Sequence, residues 1–356
     1  MDAAWATTSN LNEAKYGLAG CGTTSAALCF GGYINANVDT TEIWNGTSWA
    51  TTSSLNEAKR FLAGCSTTSA ALCFGGDTGA AAATTEIWNG TSWATTSSLN
   101  EAKRNLAGCG TTSAALCFGG YINANVDTTE IWNGTSWATT SSLNEAKRNL
   151  AGCGTTSAAL CFGGYINANV DTTEIWNGTS WATTSSLNEA KRFLAGCSTT
   201  SAALCFGGST GARVATTEIW DGSLWATTSS LNEAKGYLAG CGTTSAALCF
   251  GGYTDANVDT TEIWIVEPYS TLSDTCVDKN GNVITNTLCN IDILNKDDRT
   301  TKYQTTQSNT VNGAWEVNSL GFVQGTKVLV LFNYEGVYGG DTDIAGAKFT
   351  ITNSPV

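Results

Sequence analysis

Histidine is absent from this chain of 356 residues. The absence removes the one side chain that ordinarily titrates between about pH 5 and 8. With it go the usual general base and the commonest nitrogen ligand of zinc and copper. Proline occurs twice and methionine once, which excludes collagen-like and polyproline segments. Basic residues are the minority, 17 against 30 acidic, for a formal charge of −13. Nucleic acid and anionic membrane are excluded as main partners by that balance, because both demand clustered Lys and Arg. No apolar run approaches the roughly 20 residues that cross a bilayer, so membrane insertion is not expected. Met1-Asp2-Ala3-Ala4-Trp5 runs directly into patterned sequence without a leader. Such a start is expected of a processed form, or of a virion component released by lysis, which needs no leader.

What the chain does contain is a repeat. Near-copies of the 44 residues from Trp93 to Ser136 recur six times, and a fixed period of this length announces a repeat architecture. With 42% hydrophobic residues and 13 tryptophans a sizeable core is available. Each repeat carries two cysteines: Cys21 and Cys29, Cys65 and Cys73, Cys109 and Cys117, Cys153 and Cys161, Cys197 and Cys205, Cys241 and Cys249. The tail adds Cys276 and Cys289, for an even total of 14. Disulfides and an oxidising compartment are the expectation. Small buried thiols in alanine-sized sites are the competing reading. A three-residue turn would set Cys21 opposite Cys29, and a two-residue turn would offset them and favour a bridge to the adjacent unit. No CxxC spacing points to zinc.

Within a repeat four strand signals follow one another. In the second, Phe61 to Cys65 and Ala70 to Phe74 are apolar runs around a Thr-Thr-Ser turn, the latter stopped by Gly75-Gly76. Thr85 to Trp88 and Ser92 to Thr96 flank Asn89-Gly90, a strong hairpin signal. Four strands in each of six units predict an all-β, six-bladed β-propeller over residues 1–266. Trp5 to Ser9 matches the last strand of a repeat, Trp49 to Ser53, and the sixth unit leaves the pattern after Trp264 before its own last strand. The first strand is therefore expected to close the last blade and remove both free edges.

The Gly-Gly pair, an aromatic about a dozen residues on, a Trp five residues later and a basic residue opening the next unit resemble the kelch-type propeller repeat over residues 4–264. Tryptophan at Trp44, Trp88 and their equivalents departs from the tyrosine of that pattern. The repeats are also similar to those of bacteriophage and environmental bacterial proteins. Kelch-like folds include copper oxidases, but that chemistry requires histidine ligands. A WD-type propeller is disfavoured because its Gly-His and Trp-Asp pairs are missing.

The copies differ chiefly in the loop after Gly-Gly. It runs Tyr33-Ile-Asn35-Ala-Asn37-Val-Asp39 in the first unit, with close matches from Tyr121, Tyr165 and Tyr253. The second unit has Asp77-Thr-Gly-Ala-Ala-Ala-Ala83 instead, and the fifth has Ser209-Thr-Gly-Ala-Arg213-Val-Ala215. The pattern recurs every three units, which implies a duplicated triplet and pseudo-two-fold symmetry. Tyr33, Asn35, Asn37, Asp39, Tyr121, Tyr165, Arg213 and Tyr253 are the candidate binding-loop residues. The alternating oxygens of Asn35, Asn37 and Asp39 weakly echo a calcium loop, but a solvated turn is the preferred reading and no cofactor or metal is expected.

Ile265 to Tyr269 reads as a short linker. Beyond it the composition shifts to Asn, Asp, Val and Thr, with a hairpin over Cys276 to Ile284 and strands later, and a β-sandwich is predicted over 270–356. The order Asp-x-Asn-Gly-Asn, then Asn312-Gly313-Ala-Trp315, then Gly325-Thr-Lys-Val-Leu-Val resembles the carboxypeptidase-regulatory, transthyretin-like sandwich, and so implies a spacer or attachment module. Sequons such as Asn45-Gly-Thr47 are explained by their turns.

Glutamates recur once per unit at Glu13 and at Glu42. Near-identical surroundings do not separate an acid from a base as glycoside hydrolysis needs. The expected function is therefore a non-catalytic structural or adhesive protein of a virion surface or cell exterior. Its partners would be protein neighbours in an assembly, surface glycans, or both, within an oligomer or larger particle. A head-to-tail subunit of an extracellular filament and a carbohydrate-active hydrolase are the alternatives, the latter on a unique carboxylate such as Asp77 or Asp255.

Overall fold

Each repeat folds into a meander of short antiparallel strands. The computed structural model describes residues 3–266 and, beyond them, the backbone of six strands: Ser270–Thr275, Cys289–Asn295, Lys302–Gln307, Ala314–Leu320, Val328–Tyr334 and Ile351–Thr352. In blade one the strands are Ala19–Gly22, Ala27–Phe30, Thr41–Trp44 and Trp49–Thr52, hydrogen-bonded in that order. Ala27, Leu28, Cys29 and Phe30 are all fully buried. Neighbouring blades cover both faces of this second strand, so it reads as a continuous apolar run and not as an alternation.

Six such four-stranded sheets surround the axis, and the inner strands touch their neighbours all the way round. In blade six the order is Ala3–Thr8, Thr261–Val266, Ala246–Phe250, Ala239–Gly242. The first strand of the chain is thus the outer strand of the last blade, and the expected closure is present.

The contact between blades is built from a glycine, a phenylalanine and a tryptophan of the repeat, with a threonine as hydrogen-bond acceptor. Inner-strand Gly64 has no Cβ, and one placed there would lie 2.4 Å from Cζ of Phe30 in the preceding blade. The Phe30 ring meets Trp93 edge-on at 4.9 Å. Trp93 Nε1 donates to Thr41 Oγ1 of the preceding blade at 3.0 Å, which satisfies the indole where it is buried. The same triad recurs at every junction. At Gly108 an added side chain would meet both Phe74 Cζ at 2.4 Å and the Leu116 carbonyl at 2.8 Å. Gly108→Val is expected to destabilise the propeller by about 1–3 kcal/mol, the range for an overpacked core, read as a fall in Tm.

The disulfide expectation fails in the propeller. Cys21, Cys29, Cys65, Cys73, Cys109, Cys117, Cys153, Cys161, Cys197, Cys205, Cys241 and Cys249 are free and buried. Register explains why no bridge spans a hairpin. Cys21 pairs with Leu28 and Cys29 with Gly20, so the two thiols point to opposite faces of one blade. They pack in different interblade cores. Cys276 lies outside the described residues, and of Cys289 only the backbone is described.

Burial pushes the Cys29, Cys73 and Cys161 thiols up to about 12, and the others upward likewise. The folded-state pKa lies above the ordinary value of 9.0, so the stability these thiols confer is complete below pH 9 and is lost as pH climbs toward 12. Alkaline titration is expected to unfold the chain in that window. A thiol reagent at neutral pH should modify at most two of the 14 cysteines until denaturant is added; brisk reaction of the native protein would contradict the burial.

The propeller has two unlike faces. One carries the turns Thr23 to Ala26 and Asn45 to Ser48 and their equivalents, rich in hydroxyls and amides. Asn45 Oδ1 accepts from the backbone of Thr47 and Ser48 and from the Thr47 hydroxyl, each at 2.9 Å, which accounts for the Asn-Gly-Thr sequence there. The other face carries the Gly-Gly loops and the connections between blades. The six strands beyond residue 266 belong to a unit separate from the propeller. Its strands pair as two three-stranded sheets, one of Ser270–Thr275, Ala314–Leu320 and Ile351–Thr352, the other of Cys289–Asn295, Lys302–Gln307 and Val328–Tyr334. The hairpin predicted over Cys276 to Ile284 lies outside the described residues.

Candidate functional site

Gly17, Phe61, Asn105, Asn149, Phe193 and Tyr237 occupy one repeat position beside the axis. All six are left-handed, with φ between 55° and 65°. Each backbone N–H donates to the carbonyl of its equivalent in the preceding blade at 2.7–3.0 Å, and Gly17 closes the circle by donating to Tyr237. A left-handed conformation is unfavourable for five of these residues. The cyclic hydrogen bonds hold it in place.

The position just before this ring is Tyr16, Arg60, Arg104, Arg148, Arg192 and Gly236. It bridges to the first residue after Gly-Gly, which is Tyr33, Asp77, Tyr121, Tyr165, Ser209 and Tyr253. The result is an annulus of guanidinium groups interleaved with aromatic rings. Arg148 lies 4.5 Å from the Tyr121 centroid and 5.2 Å from that of Tyr165. Arg192 lies 4.7 Å from Tyr165, and Arg60 4.5 Å from Tyr33. Such stacking stabilises by about 0.5–2 kcal/mol per pair. Asp77 is buried and ion-paired to Arg104 at 2.6 Å. Between blades five and six the annulus opens into a cavity of about 570 Å³. There burial raises the Tyr237 phenol, against the opposing pull of Arg213 and Arg192.

Tyr33, Tyr121, Tyr165, Tyr253 and Arg213 are therefore brought together on one face. The remaining loop candidates have other placements. Asn35 is at the exposed loop tip. Asn37 Nδ2 donates to the Asp77 carbonyl at 2.8 Å and stitches blade one to blade two. Asp39 accepts the Leu55 N–H on its backbone carbonyl at 2.9 Å. Among the described residues no group of three or more His, Cys, Asp or Glu side chains is disposed to hold a metal ion.

The repeated carboxylates are engaged within their own blades. In blade four Glu174 is 1% exposed and lies 3.1 Å from Lys147 Nζ, itself fully buried. Its other oxygen accepts from Asn144 N at 2.7 Å and Nδ2 at 3.0 Å. Glu145 accepts the Thr172 hydroxyl at 2.8 Å.

Sequence reasoning did not single out Arg104, Arg148, Arg192, Tyr16 and Tyr237. The signal was available: in repeats otherwise nearly identical, the pairs Tyr16-Gly17, Arg60-Phe61, Arg104-Asn105 and Gly236-Tyr237 vary, as does the residue after Gly-Gly. No protein-family model matches the chain, and no curated protein matches it.

Proposed function

We propose that the chain is a non-catalytic recognition and packing component of an extracellular assembly, at the surface of a virion or a cell. The propeller recognises and residues 270–356 attach. One observation carries the reading. Each repeated carboxylate is consumed by a Lys, Thr or Asn of its own blade, whereas the varied positions converge on one arginine–tyrosine annulus. Chemistry needing an acid and a base in different environments finds six equivalent settings instead. The Gly-Gly to Trp spacing supports a kelch-type lineage. The two three-stranded sheets beyond residue 266 are consistent with a transthyretin-like sandwich. Glycan arrays together with electron microscopy of native particles test the reading. Glycan binding or a fixed position in a particle is expected, and a monomer that binds nothing and joins nothing overturns it.

A filament subunit is the second reading, favoured by Leu224 at 60% and Ile265 at 38% exposure on the turn face of neighbouring blades. Concentration-dependent growth in sedimentation velocity is expected if it is right, and a constant sedimentation coefficient removes it.

A further inference from the structure

The pseudo-two-fold symmetry of the annulus fails where Tyr16 stands against Arg148, Arg104 against Gly236 and Asp77 against Ser209, and the last two changes meet between blades five and six. In blade two the Asp77 carboxylate accepts the Gly79 N–H at 2.8 Å and faces two guanidinium groups, Arg104 Nη1 at 2.6 Å and Arg60 Nε at 3.8 Å. Three repeats on, Ser209 stands in its place, equally buried, with its hydroxyl accepting the Gly211 N–H at 3.3 Å. Arg192 stands for Arg60, and Gly236 for Arg104. The carboxylate is missing, and Arg192 Nε is buried without a hydrogen-bond partner among the described residues, as Arg60 Nε also is in blade two. A second cation is nevertheless restored from elsewhere. Arg213, on the fifth unit's own loop, lies over Gly236, where an added Cβ would meet its Cδ at 3.3 Å and Nη1 at 3.4 Å. It stacks on Tyr237 at 5.0 Å and Tyr253 at 5.3 Å. Between these groups lies the cavity of about 570 Å³, lined by Arg192, Arg213, Ser209, Tyr237, Tyr253 and Asp255. Its volume falls within the range of about 300–1,000 Å³ usual for small-molecule sites.

We propose that this cavity binds an acidic sugar residue of the uronic-acid type, its carboxylate taking the place that Asp77 fills in blade two. Two half-buried arginines face a space where blade two places the chain's own anion, and partly desolvated cations favour a counter-charge there. A carboxylate supplies the charge-assisted hydrogen bonds that guanidinium groups accommodate best. The rest of the lining selects what bears it. Asp255 repels a second carboxylate and accepts from hydroxyls, Ser209 offers a hydroxyl, and Tyr237 and Tyr253 bring aromatic surface to the C–H face of a pyranose. A multiply acidic peptide satisfies the arginines but not Asp255. The inference rests on the recognition reading above and deepens it by naming the ligand class of this cavity.

Calorimetric titration of the full chain with sodium glucuronate, glucose and an amidated N-acetyl-aspartate tests it. Glucuronate is expected to bind saturably at one site, at least about tenfold tighter than glucose or the aspartate derivative, because only glucuronate joins one carboxylate to a hydroxylated ring. Ser209→Asp, which installs the blade-two carboxylate, should weaken glucuronate by about tenfold or more with Tm preserved. Arg213→Ala, on a half-exposed loop residue, should do the same and decides the matter if the first variant misfolds. Glucuronate that does not saturate, that binds no tighter than glucose or the aspartate derivative, or that binds both variants as well as the parent, overturns the proposal. The two readings fail separately. Array binding that survives Ser209→Asp keeps recognition and discards this site. Glucuronate binding that is lost in both variants, with arrays and particles silent, keeps the site and discards the adhesive role.

Discussion

Trp5→Ala is expected to destabilise the propeller by about 3–5 kcal/mol, the range for deleting a buried aromatic, or roughly 10 °C in Tm. Trp5 is 5% exposed and lies 4.9 Å from Phe206 and 5.4 Å from Trp264. Its indole donates to Thr217 Oγ1 at 3.0 Å, and its carbonyl accepts from Asn232 at 3.0 Å. Every other blade has the same tryptophan, but on a strand joined by a tight turn to its neighbour. The strand Ala3–Thr8 is covalently distant from the sheet it completes, so only its packing and its hydrogen bonds hold it there. Hydrogen exchange separates the two cases. Trp137→Ala should lower stability while keeping its sheet protected. Trp5→Ala should expose the amides of Thr261–Val266, the partner strand, before global unfolding. Unchanged protection there would mean that Trp5 does not hold the closing strand.

Lys147→Met is expected to cost about 3–5 kcal/mol, because it strands the Glu174 carboxylate in the interior. The loss concerns an unpaired charge and not a missing attraction, so a second change should reverse much of it. Lys147→Met with Glu174→Gln keeps an acceptor for Asn144 N at the position now 2.7 Å away and removes the charge. Recovery of at least half the lost stability in the double variant, measured by denaturant unfolding, is the expected result. A double variant as unstable as the single one would place the damage in packing instead. The lysine also bears on alkaline behaviour. Burial alone lowers its pKa, but Cys161, Glu174 and Glu145 together carry it above the ordinary value. Its contribution is therefore lost as pH rises past 10.5, in the same direction as that of the thiols.

The blade was legible because its residues follow from local rules. Asn89-Gly90 dictated the outer hairpin, Gly75-Gly76 ended the second strand, and Trp5 matched Trp49 closely enough to reveal closure. The thiols were less legible, since one residue of hairpin register decides whether Cys21 and Cys29 face each other, and the spacing admits both registers. The annulus was hidden for a different reason. Arg60 and Asp77 are 17 positions apart, and Asp77 and Arg104 belong to different blades, so only the curvature of the closed ring brings them together. Asn37 has a role that the sequence did not reveal. Its alternating-oxygen setting read as a solvated turn with a weak echo of a calcium loop, and its amide donates to the backbone of the next blade. Packing repeats itself from blade to blade and fixes the residues it uses, so the positions free to differ among the six copies trace the annulus better than any motif did.

The two faces of the disc also constrain how copies can be stacked. All five arginines of residues 3–265 belong to the loop face, while the turns Thr23 to Ala26, Asn45 to Ser48 and their equivalents carry one charged residue, Asp221. Pressing loop face to loop face would set guanidinium against guanidinium. Pressing unlike faces together avoids that repulsion and leaves the same two surfaces free at the ends. A pile of propellers that pairs unlike faces along the axis is polar and open-ended, a column with a direction and not a sealed pair.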